Sequence, residues 1–161
     1  MSAWFSLSLT ESDTAPFLAD GKLVVIGELE AIVPIISLRL WRDYLTQKHL
    51  VAYLDNEGAK FALVKGISKS RMISCIAFRT AELLEDLHCI PWFARVPTSS
   101  NVADAPSRDL LPIAAGVPSD EVRVLFELEV SSLCAMAHSP HPLERGGSQG
   151  EANALDTPNI E

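Results

Sequence analysis

The chain has 161 residues and a formal net charge of −8, and apolar residues make up 48% of it. This length permits one domain with a hydrophobic core, and no uninterrupted apolar run approaches the roughly 20 residues that a membrane span requires. The start, from Met1 to Phe5, lacks the basic and apolar regions of a secretory signal, so we expect an intracellular protein, cytoplasmic or nuclear, without a membrane partner.

The negative charge is concentrated near the C-terminus. Residues 1–109 contain 13 acidic and 11 basic side chains, whereas residues 110–161 contain 8 acidic and 2 basic ones. Between Arg39 and Arg71 the balance is reversed, because seven Lys or Arg residues accompany three acids. This basic excess could meet phosphates, although a solvated helix face is the more common explanation of such a run.

The first elements are predicted from apolar spacing. Residues Trp4 to Leu9 alternate bulky apolar side chains with serine, which is typical of a half-buried strand, and a polar loop follows from Thr10 to Lys22. Apolar residues recur at helical spacing from Glu28 to about Thr46, which predicts a long amphipathic helix. Because Pro34 lies inside this helix, we expect a kink or a late helix start.

The middle of the chain alternates strand and helix patterns. The run His49 to Leu54 predicts a buried central strand, and a short helix from Glu57 to Lys65 should end at Gly66. Ser70 to Leu87 gives the clearest helical periodicity, and Cys89 to Val96 predicts another strand. This order of elements is typical of an α/β fold whose sheet is covered by crossovers.

The periodicity fades towards the C-terminus. A short helical turn is predicted around Asn101 to Asp104, and Val122 to Val130 could form one more strand or helix. We therefore predict a domain at residues 1–112 and an acidic, largely disordered and dispensable tail at residues 113–161.

Three acids occupy positions where an α/β sheet places functional groups. Glu30 lies in the first turns of the long helix, Asp55 at the exit of a central strand, and Asp104 just after another strand. Carboxylates that converge there are hard oxygen ligands suited to Mg²⁺ or Mn²⁺. By spacing alone, acids at helix starts and strand exits are frequently caps or turn formers instead.

The sequence around each acid resembles a block of a known family. Residues 26–31, 51–59 and 92–108 resemble, in order, three blocks of the ribonuclease H domain attached to retroelement reverse transcriptases. The last block is the most specific, because Asn101, Ala103-Asp104 and Pro106-Ser107-Arg108 follow a strand and a polar loop. The resemblance implies a ribonuclease H-like mixed sheet flanked by helices, with Glu30, Asp55 and Asp104 as metal-binding catalytic residues.

The implied activity is cleavage of the RNA strand of an RNA–DNA hybrid by two Mg²⁺ or Mn²⁺ ions. The family's first strand, which carries a further carboxylate, has no counterpart here, so we expect this strand to be missing and the activity to be impaired. A non-catalytic remnant, or a domain that binds nucleic acid or protein, is the alternative. The residues interpreted as nucleic-acid contacts are Asn56, Lys60, Lys65, Lys69, Arg71, Arg95, Asn101 and Arg108, although the arginines flanking Asp104 could equally balance its charge.

Overall fold

The computed structural model describes residues 5–18, 25–97, 100–101 and 117–139. Within these ranges, none of the helices combines the length and apolar character needed to cross a bilayer. The elements in chain order are α1 (Glu11–Thr14), α2 (Ile26–Leu40), α3 (Arg42–Leu45), β1 (His49–Leu54), α4 (Glu57–Lys65), α5 (Arg71–Asp86), β2 (Ile90–Arg95) and α6 (Ser119–His138), with a 3-10 turn at Ala15–Phe17 after α1.

The two strands form a parallel sheet. His49 pairs with Ile90 at one end of the ladder, and Leu54 pairs with Arg95 at the other. Parallel neighbours need a crossover connection, which α4 and α5 supply, and α4 packs on both strands. The predicted α/β class is therefore confirmed, whereas the described residues contain a two-stranded parallel sheet rather than the larger mixed sheet that was expected.

Helix α2 lies at the centre of the helical layer and packs against α4, α5 and α6. Its buried side chains recur every three or four residues, as a helix needs in order to keep one side against a core. Helices α5 and α6 present similar stripes towards it. The largest core side chains are Phe17, Ile32, Ile35, Ile36, Leu38, Met72, Ile76, Leu83, Leu84, Leu87, Phe126 and Leu133.

The predictions for the middle of the chain are confirmed. Strand β1 and helix α4 have the predicted bounds, and Gly66 ends α4 with a positive φ of 71°, a conformation that glycine adopts without steric cost. Helix α5 and strand β2 each lie one residue inside their predicted ends. Local signals were sufficient here because a turn or cap residue bounds each element.

The predictions for the first 46 residues need correction. Residues 5–10 form no strand, and the segment predicted as a loop contains α1 and the buried residue Phe17. The predicted long helix ends at Leu40, and the separate turn of α3 follows it. Pro34 lies inside α2 without ending it, so the late start is not observed.

The prediction of a largely disordered tail is wrong for residues 119–138, which form α6, and of the two elements predicted for Val122 to Val130 the helix is confirmed. This helix buries Val122, Phe126 and Leu133 against the core. Salt bridges also link α6 to other elements. Arg123 Nη1 lies 2.7 Å from Asp13 Oδ1, and the carboxylate of Glu129 lies 2.8 Å from Arg39 Nη2 and 3.2 Å from Arg79 Nε.

One face of the sheet carries exposed apolar side chains. Because paired residues of parallel strands point to the same side, Val51 and Tyr53 of β1 share a face with Ile90 and Trp92 of β2. These side chains are 54%, 67%, 60% and 71% exposed, respectively. We refer to Val51, Tyr53, Ile90 and Trp92 as the apolar sheet face.

Candidate functional site

The candidate site lies at the carboxyl end of the parallel strands. Asp55 directly follows β1, and the chain leaving β2 stays beside it, because the Val96 N–H donates to the Leu54 carbonyl at 3.0 Å. Asn101 then returns to the same edge, where its Nδ2 donates to Asp55 Oδ2 at 3.1 Å. The sequence blocks that contain Asp55 and Asn101 therefore meet in space.

Glu30 brings the third sequence block to this edge. It lies in the first turns of α2, and its carboxyl is close enough to Asp55 for their charges to repel each other. Burial raises the pKa of Glu30, a hydrogen bond with the Asn56 side chain opposes this shift, and the charge of Asp55 raises the pKa further. The net direction is upward from the ordinary glutamate value.

One oxygen of Glu30 has no partner among the described residues. Its Oε2 is buried and accepts no hydrogen bond from them, whereas buried polar atoms in folded proteins nearly always have a partner. An ion or a water at this position would satisfy the oxygen. An uncompensated buried carboxylate oxygen beside a second carboxylate is the arrangement that a hard divalent cation neutralises.

Pro34 changes the backbone beneath Glu30. In a helix the N–H of residue 34 would donate to the carbonyl of residue 30, but proline has no N–H. The turn that carries Glu30 is therefore held by one hydrogen bond fewer than an ordinary helical turn.

The start of α4 contributes Asn56 to the site. Asn56 is the N-cap of α4, and its Oδ1 accepts from the Ala59 N–H at 2.9 Å. Its Nδ2 faces Gly27 at the beginning of α2. If Gly27 had a side chain, the Cβ would lie 3.9 Å from this nitrogen. The side chain thus lies between the two helix starts, on the side of α2 that carries Gly27.

The donor chemistry at this edge fits a divalent cation, with two carboxylates and an uncompensated buried oxygen. Glu30 and Asp55 are brought together as predicted from the ends of their elements. Asp104, the predicted third ligand, lies outside the described residues, and no group of three or more acidic, histidine or cysteine side chains suited to a metal occurs within them.

The predicted nucleic-acid contacts surround this edge only in part. Arg95 is exposed at the end of β2, where it pairs in register with Leu54, next to Asp55. Lys60 Nζ and Lys65 Nζ lie 4.6 Å and 5.4 Å from the centre of the Phe61 ring on α4. Lys69 is exposed before α5. Arg71 also lies at the surface, where its guanidinium donates to the Ser139 carbonyl, and Arg108 lies outside the described residues.

One feature of the site and one contact outside it were missed in the sequence. Asn56 was interpreted as a nucleic-acid contact, although an Asn immediately before a helical pattern is a standard N-cap signal that could have identified its structural role. The salt bridges of Glu129 with Arg39 and Arg79 join residues far apart in the chain, and no local pattern could have revealed them.

Comparisons of the chain with protein-family models, with curated proteins and with solved structures find no match. The function is therefore inferred from the site itself and from the resemblance of the three sequence blocks.

Proposed function

We propose that this chain provides a ribonuclease H-like carboxylate site of retroelement reverse-transcriptase type, which binds Mg²⁺ or Mn²⁺ and an RNA–DNA hybrid and cleaves the RNA strand slowly. The observation that carries this proposal is the convergence of Glu30, Asp55 and Asn101 at one sheet edge. They belong to three separate blocks of the family resemblance and lie far apart in the sequence, so their meeting is not a consequence of local structure.

The proposal gives each residue a role. Glu30 and Asp55 would hold the cation through carboxylate oxygens, with Glu30 Oε2 available for this contact, and Asn101 would keep Asp55 oriented by its hydrogen bond. Asp104 is the proposed third ligand. When bound, a pair of such ions activates a water and stabilises the leaving oxygen of a phosphodiester.

The hybrid would lie across this edge and contact the basic residues near it. Arg95 and Lys60 are the proposed phosphate contacts near the carboxylates, since Arg95 pairs in register with Leu54, next to Asp55, and Lys60 lies in the first turn of α4. Recognition would depend on groove shape, phosphates and 2′-hydroxyls, so broad tolerance of sequence is expected.

We propose slow cleavage because the family's site uses four carboxylates, whereas the resemblance supplies three of them here, Glu30, Asp55 and Asp104. Fewer ligands hold a cation less firmly and position the attacking water less well. Weak activity with a strong preference for the more tightly bound Mn²⁺ is therefore expected.

The metal site is tested by calorimetric titration of the chain with Mn²⁺. Asp55→Asn should weaken Mn²⁺ binding at least tenfold, because it removes a charged ligand while preserving size. Asp43→Asn is the matched control, since Asp43 is exposed on α3, and it should bind as the wild type does. Equal affinity in all three proteins would show that the site is assigned wrongly.

Hybrid binding and cleavage are tested with a fluorescent RNA–DNA duplex. Lys60→Glu should weaken binding severalfold and reduce its salt dependence, because a phosphate contact is replaced by a repulsive charge. Lys48→Glu makes the same charge change at the opposite end of β1, roughly 20 Å away by strand rise, and should have a smaller effect. Any cleavage should disappear in Asp55→Asn.

A non-catalytic domain that binds nucleic acid or another protein is the second candidate. The apolar sheet face favours it, because exposed apolar patches commonly mark interaction surfaces. Binding of the hybrid without detectable cleavage at saturating Mn²⁺ would select this candidate.

A further inference from the structure

The apolar sheet face carries two exposed aromatic rings on neighbouring strands. Tyr53 of β1 is 67% exposed, and Trp92 of β2 is 71% exposed. In the parallel register Tyr53 lies opposite Ala94, and Trp92 lies two residues before Ala94 on the same strand. Both aromatic side chains point to the same side of the sheet, and the residue directly opposite Tyr53 is small. The two rings are therefore presented together on one open surface.

The spacing of the two rings suits unpaired bases. Strand separation and strand rise place the Cα atoms of Tyr53 and Trp92 about 8 Å apart. Successive bases of a duplex lie about 3.4 Å apart and cover one another's faces, so they cannot stack on both rings. The bases of a single strand can be spread apart, and each can then stack on an aromatic ring.

The charge around this face favours a polyanion. The chain has 21 acidic residues, but neither strand contains one. Exposed cations lie at opposite ends of the sheet, with Lys48 directly before β1 and Arg95 at the end of β2. A nucleic-acid strand that crosses the face would place phosphates near both cations and bases between them. A second copy of this face would bring the same cations and no acid to pair with them.

The face also adjoins the candidate site. Tyr53 lies two residues before Asp55, which corresponds to about 7 Å by strand rise. Arg95 lies at the same end of the sheet, where it is a proposed phosphate contact of the hybrid. A single strand that extends from a hybrid at this edge could therefore continue over Tyr53 and Trp92.

We infer that the apolar sheet face binds single-stranded nucleic acid, with one base stacked on Tyr53, another stacked on Trp92, and the flanking phosphates near Lys48 and Arg95. The inference goes beyond the proposed function, because base stacking needs neither the metal ion nor the carboxylates. Every base has a face that can stack, so little sequence preference is expected.

The inference is tested by fluorescence anisotropy with a labelled oligouridylate of about 12 nucleotides in the presence of EDTA. The protein is kept below the concentration at which light scattering detects association. Tyr53→Ala should weaken binding about tenfold, because one base loses the ring on which it stacks. Tyr44→Ala is the matched control, since Tyr44 on α3 is 68% exposed, and this variant should bind as the wild type does.

Two substitutions of Trp92 distinguish base stacking from simple apolar contact. Trp92→Phe keeps an aromatic ring and should retain most of the affinity, whereas Trp92→Leu keeps only an apolar side chain and should lose about tenfold. Oligouridylate should also quench the tryptophan fluorescence of the wild type. Most of this quenching should disappear in Trp92→Phe, although that variant still binds.

Three results would overturn the inference. The first is no binding of the oligouridylate, and the second is an equal loss of affinity in Tyr53→Ala and Tyr44→Ala. The third is wild-type affinity in Trp92→Leu, because the face would then offer only the apolar contact that a second copy or another protein could use.

The metal site is judged by a separate measurement. Tyr53→Ala should bind Mn²⁺ as the wild type does, since the tyrosine is not a proposed ligand. A chain that binds oligouridylate but not Mn²⁺ would support this inference and contradict the proposed metal site. A chain that binds Mn²⁺ but not oligouridylate would contradict the inference and leave the metal site standing.

Discussion

Glu30 carries its charge at a cost in stability. Burial and the neighbouring charge of Asp55 both raise the pKa of this carboxyl, and the hydrogen bond from Asn56 offsets them only in part. Since the pKa is higher in the folded than in the unfolded chain, the folded state binds more protons, and the carboxyl favours folding only while it is protonated. That contribution is complete below the unfolded pKa and is lost as the pH rises through the folded pKa.

Glu30→Gln should therefore stabilise the metal-free protein at neutral pH. Glutamine removes the charge, and we expect a gain of about 0.5 kcal/mol at pH 7, kept small because partial exposure screens the charge. Urea unfolding at pH 7 and at pH 4 measures the free energy of unfolding of both proteins. The advantage of the variant over the wild type should shrink at the lower pH, where the wild-type carboxyl is protonated. Glu57→Gln is the control, because Glu57 is exposed and its substitution should not give the same gain. A Glu30→Gln protein that is less stable than the wild type at pH 7 would contradict this prediction.

The sequence predicted the main acids of the site but not how they are held. Glu30 and Asp55 could be expected to meet because helix starts and strand ends converge at the carboxyl edge of a parallel sheet. Their partners are harder to predict, because the hydrogen bond from Asn101 to Asp55 depends on the path of the chain after β2. The contact of Asn56 with Glu30 depends on how α2 packs against α4.

Among the helices, the spacing of apolar residues predicted the bounds correctly where the apolar residues lie mainly on one face. Helix α5 has such a face and was predicted within a residue at each end. In α6 the buried Val122 and Phe126 alternate with the exposed Val124 and Leu128, so the apolar stripe is hidden in the sequence by apolar residues on the solvent side. The same pattern concealed that this segment belongs to the core.

The N-terminal segment shows the opposite error. Phe5 and Leu7 are half-buried and pack against the core, with the Phe5 ring 5.7 Å from that of Trp41, so the alternation does report burial. A strand also needs a partner for its backbone, and residues 5–10 join no ladder within the described part of the chain. Alternation alone therefore cannot distinguish a strand from an extended segment packed on helices.

The attachment of α6 depends on Glu129. This residue is 1% exposed, and its two oxygens accept hydrogen bonds from Arg39 on α2 and Arg79 on α5, at 2.8 Å and 3.2 Å. Glu129→Ala leaves both guanidiniums without their buried partner, and we expect it to lower the free energy of unfolding by about 3 kcal/mol. Urea denaturation at neutral pH would measure the loss.

Glu127 supplies the matched control for this change. It is an exposed acid of the same helix, and Glu127→Ala should change the free energy of unfolding by no more than about 0.5 kcal/mol. Losses of equal size in the two variants would show that the salt bridges of Glu129 do not fasten α6 to the core.

Within the part of the chain that the structure describes, helix α4 packs on the sheet while the apolar sheet face is exposed. Parallel sheets are generally buried on both faces, because their strands pair less strongly and are built from apolar residues. Here α4 packs on the sheet, while the apolar sheet face carries Tyr53 and Trp92 at more than 60% exposure. Among the described residues, this exposure differs from the covered faces of a typical parallel sheet.

We expect this surface to make the protein associate with itself as its concentration rises. Burial of apolar area contributes roughly 25 cal/mol per Å², so contact between two such faces is favourable even without specific geometry. The double variant Val51→Thr, Trp92→Thr places the strand-favouring threonine at both positions and removes much of the apolar area. Light scattering should show a mean particle size that grows with concentration and added sulfate in the wild type but stays constant in the variant.

Because both side chains are exposed, the free energy of unfolding of the variant in urea should lie within about 1 kcal/mol of that of the wild type. A wild-type protein that stays monomeric at all concentrations would show that the apolar sheet face does not drive association.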